Sequence, residues 1–363
     1  MLFKGSGNRV TMKHILSFFI FIMLFSSTLL PIYSENLFMY KVNEQYIIKD
    51  ISYDKNLDSF YLVGEIKGSN NSFIIKLRNG EFLREQIVEN FKVNKILTDK
   101  YSNSYILGKY QDGNASVIKV TSSLGKRWET KIKYSDMDII SSYIVNDNQE
   151  ITVIGYSNYK RESDTFIVKI DRNGKIISEK ILDIGPYERP YEVIEDSYGN
   201  FYLTGEAKNK NYDMFFCKLS NDFDILWIDY FDNENWEDGG LGLELIEEEL
   251  VATGYSGKAG WYVFDTVFLR YSPEGNVSKF VRKSYSGGSD WIKQFRRNGE
   301  YYYAVLWDIL TNQEHTLKLD DNFNLLKKDE IEKDEIPIKI LNINDKTYFI
   351  YVKENIVYLR DLE

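Results

Sequence analysis

Indoles and carboxylates gather in a few short polar segments in the second half of this chain, and these are the residues most able to do chemistry. The segments are Tyr187-Glu188-Arg189-Pro190-Tyr191, Trp236-Glu237-Asp238-Gly239-Gly240, the loop 257–264 with Trp261 and Tyr262, and Gly287-Gly288-Ser289-Asp290-Trp291. Flat aromatic faces take up the apolar faces of sugars, or cations, and carboxylates accept protons from hydroxyl and ammonium groups. The expected ligand-binding set is therefore Glu188, Tyr191, Trp236, Glu237, Asp238, Trp261, Asp290 and Trp291. Glu188, Glu237, Asp238 and Asp290 also open a second reading. Two carboxyls about 5–10 Å apart suffice to hydrolyse a glycosidic bond, so a carboxylate-based glycoside hydrolase or lyase is the alternative. A plainer reading exists for each residue: the indoles plug a surface and the acids cap loops.

Other chemistries lack their residues. His14 and His315 are the only histidines and Cys217 is the only cysteine. That leaves no Cys/His zinc cluster, no Ser-His-Asp triad and no intrachain disulfide. The stretch Gly239-Gly240-Leu241-Gly242 has the glycines of a phosphate-binding loop but no helix pattern after it. No Asp-x-Asp-x-Asp-Gly calcium loop occurs. Neither a catalytic residue, a metal nor a cofactor is assigned. A net charge of −10 repels a phosphate backbone, and no basic cluster reverses this locally, so nucleic acid is not an expected partner. The same charge weakens docking to an anionic membrane surface, and a monomer is expected.

The N-terminus points outside the cytoplasm. Lys13 precedes the apolar run from Ile15 to Leu30, then come Pro31 and the small residue Ser34. This order matches a signal peptide over residues 1–34 with cleavage after Ser34, and so a secreted or cell-surface protein. The alternative is an uncleaved anchor, because the run approaches spanning length. Pro31 and the polar Ser26-Ser27-Thr28 favour cleavage.

The elements that must position these residues repeat. A short apolar run ending in glycine recurs at Gly64, Gly108, Gly155, Gly205 and Gly254, and decayed copies end at Leu306 and Tyr351. The interval is 44 to 52 residues, so seven units fill the chain from 35 to 363 as one domain. Each unit reads as four short strands separated by hairpin-type turns such as Asp171-Arg172-Asn173-Gly174. The third strand always carries a base: Lys76, Lys119, Lys169, Lys218, Arg270, Lys318 and Arg360. Alternation with apolar neighbours suggests that these stems lie along the next unit, a structural role. Trp128 and Trp227, on fourth strands, are expected to pack between units. The glycines ending the second strands are expected to allow a bulge or a close approach between units.

The last unit stops after its third strand, while Asn36–Asn43 reads as an orphan strand. Docking that strand on the last unit closes a ring of seven and removes exposed edges. The expected fold is an all-β, seven-bladed propeller with four-stranded blades. The unit from Glu188 to Trp227, with Asp196, Gly199-Asn200, Tyr202, Thr204-Gly205, Asp213, Phe216, Lys218 and Trp227, resembles the repeats of secreted bacterial β-propeller proteins. The resemblance covers all seven units and implies the ring. It implies little about activity, because that group is defined by its fold. The function expected is a binding module for a glycan, peptide or protein ligand on the channel-mouth face.

Overall fold

The computed structural model describes residues 36–135, 138–159, 162–208, 211–233, 236–258 and 263–363; the expected signal segment 1–34 lies outside them. Seven four-stranded antiparallel sheets stand in a ring, one per repeat unit. The first strands, nearest the axis, are Tyr46–Asp54, Phe91–Thr98, Asp138–Val145, Glu188–Glu195, Glu237–Ile246, Asp290–Asn298 and Ile336–Ile343. Third strands such as Ala115–Val120 are buried along their whole length, because each lies mid-sheet and is covered by a blade on either side. Their near-continuous apolar runs follow from that double burial. Fourth strands such as Glu81–Val88 are largely exposed and correspondingly polar.

The seventh sheet has the strand order expected of a closed ring. The N-terminal strand Asn36–Lys41 pairs with Ile356–Asp361, followed by Lys346–Lys353 and Ile336–Ile343. Met39 and Val42 are buried against Ile350, Val357 and Leu359 of that blade and against Ile48, Leu62 and Phe73 of blade one. The backbone N–H of Val42 donates to the Asn355 carbonyl at 2.8 Å.

Every first strand carries a bulge at the same place, for example between Ile48 and Asp50, Pro190 and Glu192, and Ile292 and Gln294. The second-strand glycines serve this bulge, and Gly254 also makes room for Met214 of the preceding blade, 2.4 Å from where a Cβ would lie. A Cβ at Gly64 or Gly205 would lie 2.1 Å from the carbonyl oxygen of Ile47 or Arg189, in the same sheet.

Side chains, not backbone pairing, join one blade to the next. Just past the bulge, Asp50 accepts from the Ile96 N–H at 2.9 Å, Glu192 from the Leu243 N–H at 2.9 Å and Gln294 from the Ile340 N–H at 2.9 Å. Lys339 closes the circle on Asp50 at 2.9 Å. These groups satisfy the inner strand edges, which have no further strand to pair with. Farther out, Lys76, Lys169 and Arg270 donate to the turns at Ser122, Asn221 and Asp321 of the following blade. The Trp128 and Trp227 indole N–H groups donate to the Arg172 and Pro273 carbonyls in the equivalent turns of blades three and five, at 2.8 and 3.2 Å.

Candidate functional site

One row of side chains decides what the channel mouth presents. It lies one residue pair outside the bulge, where the first and second strands face each other. Around the ring the pairs are Ile47↔Glu65, Lys92↔Lys109, Ile139↔Tyr156, Arg189↔Glu206, Gly239↔Tyr255, Trp291↔Trp307 and Ile336↔Val352. Three successive blades, four to six, thus place Arg189 with Glu206, then Tyr255, then two indoles at equivalent positions.

These groups form a continuous arc. Arg189 Nη1 donates to Glu206 Oε1 at 3.0 Å, and the Tyr255 hydroxyl donates to Glu206 Oε2 at 3.0 Å. The Tyr255 ring lies 5.0 Å from the Trp291 ring, tilted by 34°. Trp291 meets Phe264 and Trp307 edge to face, at 5.5 and 5.0 Å. Lys293 Nζ sits 4.6 Å over the Trp307 ring while pairing with Glu314 at 2.5 Å. All four rings of this cluster are half-buried, so each keeps some surface in solvent. Gly239 makes room for the arc: a Cβ there would lie 2.5 Å from the Tyr255 ring. Glu206 is itself 5% exposed. Burial and the Glu206 charge push the Tyr191 and Tyr255 hydroxyls up, so both remain protonated donors. Burial opposes the charge on Arg189, and Glu206 outweighs it, so its pKa is raised.

Three expected ligand carboxylates hold blade corners instead. Glu188 is fully buried; its oxygens accept from the backbone N–H groups of Thr165 at 2.9 Å, Ile184 at 2.5 Å and Gly185 at 2.5 Å. Asp290, also fully buried, accepts from the Tyr285 and Ser286 N–H groups at 2.9 and 2.8 Å and from the hydroxyls of Ser284, Ser286 and Thr266. Asp238 accepts from the Asn233 N–H at 3.0 Å, and burial pushes its pKa up to about 6. Asp138 occupies the same position in blade three, where it accepts from Tyr134 and Ser135. The loop leading into each of these blades crosses from one sheet to the next, and its orphaned amides need an acceptor there. A carboxylate two residues before the bulge supplies it. Of the four acids set out for a hydrolytic pair, only Glu237 keeps partial exposure.

Trp236 is half-buried and already covered, with the Arg282 guanidinium 4.1 Å over its ring and held by Asp265 at 2.6 Å. Trp261 lies outside the described residues. Tyr191 and Trp291 therefore join the arc, while Glu237 and Trp236 stand beside it. Arg189, Glu206, Tyr255, Phe264 and Trp307 are the members that motif reasoning missed as site residues. A signal for three of them was present: Glu206, Tyr255 and Trp307 all follow the last residue of the repeated apolar run.

A second charged group fills the axis. Arg296 lies 3.1 Å from Glu192 and 3.6 Å from Glu244. Burial pushes the Glu244 carboxyl up to about 7, with the Glu192 charge adding to the effect and Arg296 opposing it. Arg297 also acts on Glu244 and Lys95 faces Glu192, and burial still outweighs the bases around Glu244. On the opposite, hairpin-turn face, two open clefts of about 1000 Å³ each lie between blades three and four and between blades five and six. The bases on their floors, Lys169 and Arg270, are committed to Asn221 and Asp321.

No family model matches the chain. A stretch of 246 residues is 24% identical to botulinum neurotoxin type E of Clostridium botulinum, covering 67% of this chain and only 17% of that protein's length. Similarity that dilute over so small a share shows neither family nor activity. Solved structures match the fold. The β-propeller domain of Cps50 (Swd1) from Myceliophteria thermophila superposes with a TM-score of 0.59 and 10% identity, over 89% of this chain and 98% of that one. An ulvan lyase, solved bound to a polysaccharide fragment, superposes with a TM-score of 0.60 and 11% identity, over 90% and 96%. The chain is a seven-bladed β-propeller.

Proposed function

We propose that this propeller is a binding module whose ligand sits at the channel mouth across blades four to six. The observation that carries the reading is the arc Arg189–Glu206–Tyr255–Trp291–Trp307, one register row on three consecutive blades with partly open aromatic faces. Blades one, two and seven have aliphatic or charged residues in that row, so blade packing does not require the aromatics. Aromatic clusters flanked by a cation and an acid suit a glycan or a peptide better than an apolar ligand. The ulvan lyase propeller is a fold relative that binds a polysaccharide, and this supports the glycan side of the reading. We place the protein outside the cell or on its surface, on the strength of the N-terminal segment.

The test is a glycan and peptide array probed with the chain from Glu35 and with its Trp291→Leu variant. Leucine keeps apolar volume in the cluster and removes the flat face. Ligands bound by the parent should be lost by the variant while its circular dichroism stays unchanged. Binding that survives the substitution would move the site elsewhere. N-terminal sequencing of protein recovered from culture medium should read from Glu35.

A further inference from the structure

Arg189 narrows the ligand class of that site. Its side chain is 41% exposed, in the same row as Tyr255 and Trp291. Nη1 is held by Glu206, and no described residue takes the remaining guanidinium N–H groups. Glu206 is buried and also accepts from Tyr255, so it orients the guanidinium and is itself occupied. The open edge of a planar fork, fixed by a buried carboxylate, matches a carboxylate ligand in two parallel hydrogen bonds. Beside it, the Tyr255 and Trp291 rings, with centroids 5.0 Å apart and 34° from parallel, lean on each other, and with Phe264 and Trp307 they form a half-buried aromatic cluster whose exposed part can take the C–H face of a sugar ring. One hydrogen-bonded carboxylate, Glu206, separates the anion seat on Arg189 from the Tyr255 ring, so a ligand that uses both must extend beyond one small acid.

We propose, resting on the mouth being the ligand site, that the ligand is an acidic saccharide: a uronate carboxylate on Arg189 and an adjacent sugar ring on Tyr255 and Trp291. A small carboxylate alone would leave the aromatic half unused.

The test compares two probes on the whole chain by titration calorimetry: an oligosaccharide of glucuronate units, and the same oligosaccharide with its carboxyl groups reduced to alcohols. The acidic probe should bind at least ~10-fold more tightly, the worth of a charge-assisted pair. Arg189→Met should bring its affinity down to that of the reduced probe and leave the reduced probe unaffected. Because methionine leaves Glu206 without its cation, Arg189→Lys is measured in parallel. It keeps the charge and loses the fork, and should weaken the acidic probe by several-fold with the fold retained. Trp291→Leu should weaken both probes. Equal binding of the two probes, abolished by Trp291→Leu, would overturn the acidic class and leave the mouth site standing. Acidic binding that survives Arg189→Met and Arg189→Lys would do the same. Failure of both probes to bind would overturn the acidic-saccharide class, and binding indifferent to all three variants would overturn the class and the mouth site together.

Discussion

Carboxylates in this protein divide by their surroundings into three kinds of work. Glu206 at the mouth orients donors, Glu188 and Asp290 accept loop amides, and Glu244 shares an axial base with Glu192. The third kind predicts a pH dependence. Glu244 holds its proton in the folded state up to about pH 7, whereas the unfolded chain releases it near the ordinary 4.5. Between those values the folded state binds more protons, so stability falls as pH rises through the window and the loss is complete above about 7. Glu244→Gln removes the titration and keeps the shape. Melting temperatures of parent and variant should converge near pH 4.5, and the variant should be the more stable at pH 8, by up to about 3 kcal/mol. A parent whose stability rises over pH 5–7 relative to the variant would contradict this. A second residue-scale consequence concerns Gly239. Gly239→Ala must displace the Tyr255 ring, which lies within 2.5 Å of the added Cβ, and should weaken mouth binding more than it lowers the melting temperature.

Strands acquire their identity here from where they sit in the blade. The first residue of the first strand is a carboxylate in blades three, four and six because the loop before it turns its amides inward. Asp290→Ala would strand the Tyr285 and Ser286 N–H groups and the partnering hydroxyls, and should cost about 2–5 kcal/mol in denaturant unfolding. A cost under about 0.5 kcal/mol would deny the corner role. The third-strand bases behave differently. Lys169 meets Asn221 at 2.5 Å, and its ammonium lies 5.1 Å over the Phe201 ring. Lys169→Met keeps the stem and loses one polar clamp among several around the ring. It should cost less than about 1.5 kcal/mol and leave mouth binding unchanged.

At the scale of the whole molecule, closure falls to one short strand. Met39 and Val42 join the cores of blades seven and one through a segment at the far end of the chain from its partner strand. Two buried apolar side chains contribute about 1.5–3 kcal/mol each, and deleting residues through Asn43 also bares the edge strand Ile356–Asp361. The truncated chain should unfold cooperatively at a markedly lower temperature and should self-associate on dilution from denaturant. An unchanged melting temperature would mean that the ring is held by side-chain clamps alone. The closed ring also explains why the mouth is asymmetric without any added domain: seven equivalent row positions can be varied one blade at a time, and blades four to six hold the aromatic set.

The period of the apolar runs, the turn residues between them and the unmatched strand at each end were enough to read seven blades and their closure, because local alternation and turn chemistry act over a few residues and leave a trace in order. The base on each third strand and the indoles of Trp128 and Trp227 were legible as packing for the same reason. The candidate site was only half legible. Trp291 and Tyr191 were legible as candidates because large aromatics in polar loops stand out, and the structure places them beside Tyr255 and Glu206. Glu188, Asp238 and Asp290 were misplaced because a carboxylate that satisfies buried amides and one that faces a ligand are the same letter, and burial separates them. Arg189, Glu206 and Tyr255 lie at two positions of two repeats, on first and second strands, and what unites them is the register between those strands, offset by the bulge. That offset decides which side chain looks into the mouth. Only the assembled ring, with blade beside blade, brings Tyr255 of one blade onto Glu206 of the one before it and Trp291 of the one after.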